Sequence, residues 1–178
     1  MTVLSGGDKL AAALREMSRG LRGGAELRVG FLEGALYPDG TPVAMVAAIQ
    51  EFGAPRAGIP PRPFFRRMIA ADSGGWAPVV ADQLKKTSYD ATATLDRLGA
   101  LIKGQLQQSI NDLTVPPLSP VTLMVRQIVG PNGRATFADV VEARRRVAAG
   151  ESASGVSTKP LIWTAVMLGS VDWSVSRV

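Results

Sequence analysis

Four prolines, Pro55, Pro60, Pro61 and Pro63, fall within the stretch from Ala54 to Pro63. Each fixes φ and lacks an N–H, so no long helix and no inner strand can run through the segment, and an extended, stiff course is expected. Its flanks are helical. From about Thr41, Val43, Met45, Val46, Ile49 and Phe52 recur at helical spacing, with Thr41 placed to cap, Pro42 at the first position and Gly53 as the stop. Pro63 can open another helix carrying Phe64, Phe65, Arg66, Arg67, Met68 and Ile69.

This arrangement has two readings. As a docking edge, a rigid link loses little entropy on binding, and its aromatic and Arg residues supply the anchors. The edge would comprise Glu51, Phe52, Gly53, Ile59, Pro60, Arg62, Pro63, Phe64, Phe65 and Arg66. As a core corner, the same residues simply brace two helices. In either case Arg66 and Arg67 lie in a first helical turn, where the helix dipole disfavours cations. Both are expected to have acidic partners, and Glu51 is expected to pair with Arg62 or Arg66.

Elsewhere the periodicities are plain. Leu10, Ala13, Leu14, Met17 and Leu21 form the apolar face of an amphipathic helix over 8–22, opposite Lys9, Arg15, Glu16, Arg19 and Arg22. Leu27, Val29 and Phe31 alternate with Arg28 and Gly30 in a strand over 26–33, and Tyr37-Pro38-Asp39-Gly40 is a turn. Residues 76–111 read as one or two helices with a stripe of Leu95, Leu98, Ile102, Leu106 and Ile110. Gly99 and Gly104 there suit close approach of another backbone. Residues 113–120 are a loop. Ser119-Pro120 opens a helix through Arg126, and 130–133 is a turn. Thr136–Ala149 is helical, with Phe137, Val140, Val141 and Val147 apolar and Arg144, Arg145 and Arg146 exposed. Residues 150–158 are small and polar, which suits a mobile loop. One or two helical turns over 161–168 precede a strand over 170–177. The expected architecture is a single α+β domain over 1–178. Its small antiparallel sheet, formed by the first and last strands, packs with several helices.

Composition narrows the function. Of 178 residues none is Cys or His, so thiol nucleophiles, Ser-His-Asp triads and the usual structural zinc sites are excluded. A carboxylate-only site stays open, but Asp139 and Glu142, the nearest pair, are followed by Arg144 to Arg146 and read as a self-neutralising surface. Phosphate-loop, dinucleotide and nucleophile-elbow motifs are missing. No cofactor or metal and no enzymatic role is expected. No apolar stretch is long enough to span a membrane. Without a signal peptide, a reducing cytoplasm is the expected site of synthesis. Five of the 20 basic residues are Lys and the rest Arg, for a net charge of +5. That suits protein interfaces and phosphate backbones alike. Nucleic-acid binding through Arg62, Arg66, Arg67 and Arg144 to Arg146 is therefore the alternative function. Trp76, Trp163 and Trp173 read as core or interface anchors.

Four segments also carry a resemblance. Gln50-Glu51-Phe52-Gly53 followed by Ile59-Pro60-Pro61-Arg62-Pro63-Phe64-Phe65-Arg66 resembles the hallmark of the tailed-bacteriophage virion morphogenesis family, which often has Asn where Gln50 stands. Leu118-Ser119-Pro120-Val121-Thr122-Leu123 with Arg126 looks like that family's "L-S-x-x-T-L-x-x-R". Lys159-Pro160-Leu161-Ile162-Trp163-Thr164 looks like its "K-P-L-x-x-T-G", with Ala165 in place of Gly. Residues 168–178 look like its closing strand. The resemblance covers roughly residues 25–178. It implies a tail-completion or head–tail joining neck protein located in the virion and assembled in the host cytoplasm. Such proteins act as homo-oligomeric rings, often hexamers, between the tail tube protein and the head–tail connector, with transient contact to exiting DNA. Residues 130–158 lie between two family motifs and look like an inserted helix and loop. Arg126, Arg144, Arg145, Arg146, Lys159, Pro160 and Trp163 are secondary interface candidates.

Overall fold

The first and last strands are hydrogen-bonded to each other. In the computed structural model, which describes residues 7–22, 24–131 and 133–177, β1 (Ala25–Phe31) and β2 (Val171–Arg177) run antiparallel. Ala25 lies opposite Arg177 and Phe31 opposite Val171. The α+β expectation holds, and the chain closes on itself across its described length. β1 ends at Phe31 rather than 33, because the chain turns at Glu33 and Gly34.

The ribbon packs on α5 (Ala91–Asp112), the longest helix. Leu98, Ile102, Leu106 and Ile110 are buried at four-residue steps along it, as their spacing requires. Leu27, Val29 and Phe31 of β1 pack against that core. Gly99 sits where the ribbon comes closest. A Cβ there would drive into the Trp173 ring and stand 2.9 Å from Leu27 Cδ1. Gly104 has open space instead, so the expected close approach there is absent. Trp173 also donates its indole N–H to Asp96 at 2.9 Å, and Lys103 lies over its ring while reaching Asp172 at 3.3 Å.

Before α5 come α1 (Gly7–Leu21), α2 (Val43–Phe52), α3 (Phe64–Asp72) and α4 (Trp76–Lys86). Residues 76–112 thus form two helices, and Asp90 caps the second by accepting from the Ala93 amide at 3.0 Å. In α2 the buried stripe is Val43, Ala47 and Glu51, while Met45 and Phe52 face outward. Thr41 does not cap α2. Pro42 is the cap residue, and Thr41 instead donates its amide to Asp39 Oδ1 at 3.0 Å inside the preceding turn.

After α5, Ser119 caps α6 (Pro120–Val129) through the Thr122 amide, and the helix continues three residues beyond Arg126. Thr136 and Asp139 form a reciprocal capping box on α7 (Phe137–Ala148), which packs on α6. The residue α7 buries is Ala143. Phe137 is 81% exposed and Val141 is also exposed, contrary to the apolar face expected from them. A short α8 (Val166–Gly169) leads into β2. Asn132, in the expected 130–133 turn, lies outside the described residues. Among the described residues no helix is long and apolar enough to cross a membrane.

Candidate functional site

The proline segment bends more than its composition suggests. Pro55–Ala57 makes one 3-10 turn, closed by a bridge between Ala54 and Ile59. A proline is tolerated at the start of such a turn because its missing N–H would have had no partner there. The extended course begins only at Pro60. Gly53 is the pivot. Its φ is 77°, and an added Cβ would lie 2.8 Å from Pro61 N and 2.9 Å from Ile59 O.

Glu51 holds the two helices together. It is 5% exposed, and its carboxylate sits over the first turn of α3, which has no side-chain cap of its own. The backbone amides of Phe65 and Arg66 donate to it at 2.9 and 3.2 Å, and Arg66 Nε donates at 2.7 Å. A second Arg66 nitrogen reaches the Glu51 carbonyl at 3.0 Å, and the guanidinium lies 5.1 Å from the Phe52 ring centre. The expected ion pair therefore forms with Arg66. Glu51 acts as a cap supplied by a neighbouring helix, favourable to the amides and to the dipole. Arg67 makes no ion pair among the described residues, contrary to expectation.

Arg62 turns inward. It is 5% exposed, donating to Gln50 Oε1 at 2.9 Å and to the Pro116 carbonyl at 3.3 Å. Its backbone amide also donates to the Gln50 carbonyl at 2.6 Å. Phe64 likewise joins the core, edge-on to Phe31 at 6.2 Å, with its carbonyl accepting from Ser109 Oγ. Neither residue is on an exposed edge. Phe65 is half-buried against the same core. Phe52, Pro60, Pro63 and much of Arg66 remain at the surface, and Ile59 is half-buried.

Arg126 makes a second knot. Only 6% exposed on α6, it donates to the carbonyls of Ser157 (2.7 Å), Lys159 (2.9 Å), Pro160 (3.1 Å) and Ile162 (3.4 Å). Trp163 lies 5.6 Å from its guanidinium, and Lys159 Nζ reaches back to Asn111 Oδ1 at 2.7 Å. Pro160 is buried and Trp163 half-buried. Arg126 and Arg62 thus compensate their buried charge with carbonyl dipoles, without a carboxylate in contact. Burial lowers the pKa of both, and for Arg126 repulsion from Arg62 adds to it. The 150–158 stretch has no helix or strand, and it is tied to α6 by the Ser157 carbonyl and by the Ser154 amide on Gln127.

Beside both knots lies a groove of about 670 Å³, lined among others by Tyr37, Gln50, Arg126, Pro160, Trp163 and Thr164. Arg144 and Arg145 are exposed on α7 and Arg146 is half-buried there. Glu142 accepts from Arg145 and Arg146 at 2.8 Å each, and these bonds bring its pKa down to about 2. Arg144 makes no ion pair among the described residues.

Sequence reasoning missed Gln50 as a partner of Arg62, and Asn111 and Ser109 as partners of Lys159 and Phe64. It could not see the receivers of Arg126 at all, because a backbone carbonyl has no letter. Compared with protein-family models, with curated proteins and with solved structures, the chain matches none.

Proposed function

We propose that this chain is a structural protein of tailed-phage assembly that completes or terminates the tail and joins it to the head connector as a ring of identical subunits. The observation that carries the reading is where three of the four motif-like segments lie. Gln50 and Glu51 bond to Arg62 and Arg66, Arg126 gathers the carbonyls of Lys159, Pro160 and Ile162, and Gln50, Arg126, Pro160 and Trp163 border one groove. Segments up to about 110 residues apart in sequence thus form one structural unit, as parts of one family signature would.

The mechanism in this reading is contact. A ring multiplies a modest interface by the number of subunits, so neighbouring copies, the tail tube and the connector can be gripped without any single strong site. Phe52 at the corner and Phe137 with Val141 on α7 are exposed apolar side chains suited to such contacts. The alternative, binding of nucleic acid, has fewer free cations to draw on than the sequence suggested. Arg62 is interior, while Arg66, Arg145 and Arg146 are paired with carboxylates, which leaves Arg67 and Arg144.

Mass photometry and electron microscopy of the purified chain test the proposal. Discrete rings, with no DNA affinity at physiological salt, are the expected result. A monomer whose DNA binding falls steeply with salt would support the alternative and overturn the ring.

A further inference from the structure

α1 is amphipathic, yet among the described residues its leucines cover nothing, and of its larger apolar side chains only Met17 is half-buried. Leu10, Leu14 and Leu21 are 63%, 55% and 48% exposed, and α1 has no extensive packing against any other element. Its last turn is nonetheless braced against the body. A Cβ on Gly20 would drive into the Tyr89 carbonyl, so the helix leans on the Tyr89–Asp90 backbone while the leucines stay open.

The pattern says what fits there. Leu10, Leu14, Met17 and Leu21 are spaced by four, three and four, the a/d repeat of a helix–helix seam over two heptads. The positions flanking that seam are Ala11, Ala13, Ser18 and Gly20, all small and uncharged, and of these Gly20 is already against the Tyr89–Asp90 backbone, which leaves Ala11, Ala13 and Ser18 to a partner. Lys9, Arg15, Glu16 and Arg19 occupy the outer positions. Two copies of α1 can therefore approach closely without bringing like charges together. A lipid surface fits less well, because the basic residues lie behind the apolar face rather than beside it, where they would reach headgroups. The exposed face of α7 fits less well too, since Arg144 falls on the same face as Phe137 and Val141, and the α1 seam offers it no acid.

We infer that α1 is a homotypic interface: it packs its Leu10–Leu14–Met17–Leu21 seam against α1 of a second copy of this chain. The absence of Cys makes the test clean. In the full-length chain, Leu14→Cys places a thiol in the seam and Arg19→Cys places one on the outer side. Under mild oxidation Leu14→Cys is expected to form a disulfide-linked dimer at least about tenfold faster than Arg19→Cys. Leu14→Asp is expected to weaken self-association by at least about tenfold, in sedimentation at several concentrations, with an unchanged circular dichroism spectrum. Equal cross-linking rates, or self-association unmoved by Leu14→Asp, would overturn the inference. So would a wild-type chain that stays monomeric in solution and binds anionic phosphatidylserine vesicles through Leu14. The inference does not rest on the ring. Rings that persist in Leu14→Asp would leave the ring standing and remove α1 from it, and Leu14→Cys dimers without rings would do the reverse.

Discussion

Two groups of arginines in this chain look alike in sequence and do opposite things in the fold. Arg62 and Arg126 are buried, far apart in sequence, and held by an amide side chain and backbone carbonyls. Arg144 to Arg146 lie on one helix, and two of them share a single carboxylate one turn away. The buried pair has lost its water, so each hydrogen bond it makes would be costly to break. The helical group keeps most of its water, and its ion pairs are screened by solvent. A basic residue beside prolines or aromatics can therefore be a structural strut, whereas a visible run of basic residues can contribute little to the fold.

Substitutions should separate the two groups sharply. Arg126→Met removes a donor shared by four carbonyls and leaves those of Ser157, Pro160 and Ile162 with none among the described residues, since only Lys159 keeps another, the Ile162 amide. It is expected to cost about 3 kcal/mol or more in urea unfolding. Arg126→Lys, which keeps the charge but cannot fork, should recover only part of that. A wild-type midpoint for Arg126→Met would break the comparison outright. Glu51→Ala is next. It removes the acceptor of two α3 amides and of Arg66, for about 2 kcal/mol by the same measurement. Replacing Arg144, Arg145 and Arg146 together by Ala should leave the urea midpoint nearly unmoved, so any loss of assembly in that variant would report on an interface. The smallest effect concerns pH. Bonds from Arg145 and Arg146 lower Glu142 from 4.5 to about 2. The support it gives α7 is then complete above pH 4.5 and is lost as pH falls through about 2. A Glu142 carboxyl that titrates by NMR near 4.5 would show that these pairs do not persist in solution.

Much of this was readable in the sequence where local physics decides. Pairing of the first and last strands followed from period-two alternation. The α5 stripe followed from period 3.6, and Gly53, Ser119 and Thr136 announced helix ends. An acidic partner for Arg66 followed from placing a cation at a helix start, although the same argument left Arg62 open as the partner of Glu51 and failed for Arg67. What escaped depends on tertiary context. Phe64 and Arg62 could be read as surface anchors or as a core corner, because a Pro-Phe-Arg cluster has the same letters whether it faces solvent or a core. Ala143 rather than Phe137 is what α7 buries, since contact with α6 outweighs hydrophobicity there. Thr41 gave up its cap to a turn with Asp39. The groove joins residues from 37 to 167, and no single window of sequence contains it.

The proposed role makes a claim about place, and cryo-electron microscopy of phage particles from the source of this chain tests it most directly. The account predicts that its fold, with the Glu51–Arg66 corner and the Arg126 knot recognisable in the map, fits a ring at the junction between head and tail. Density for the chain outside the tail and that junction, or a particle with a complete neck that lacks it, would contradict the assignment.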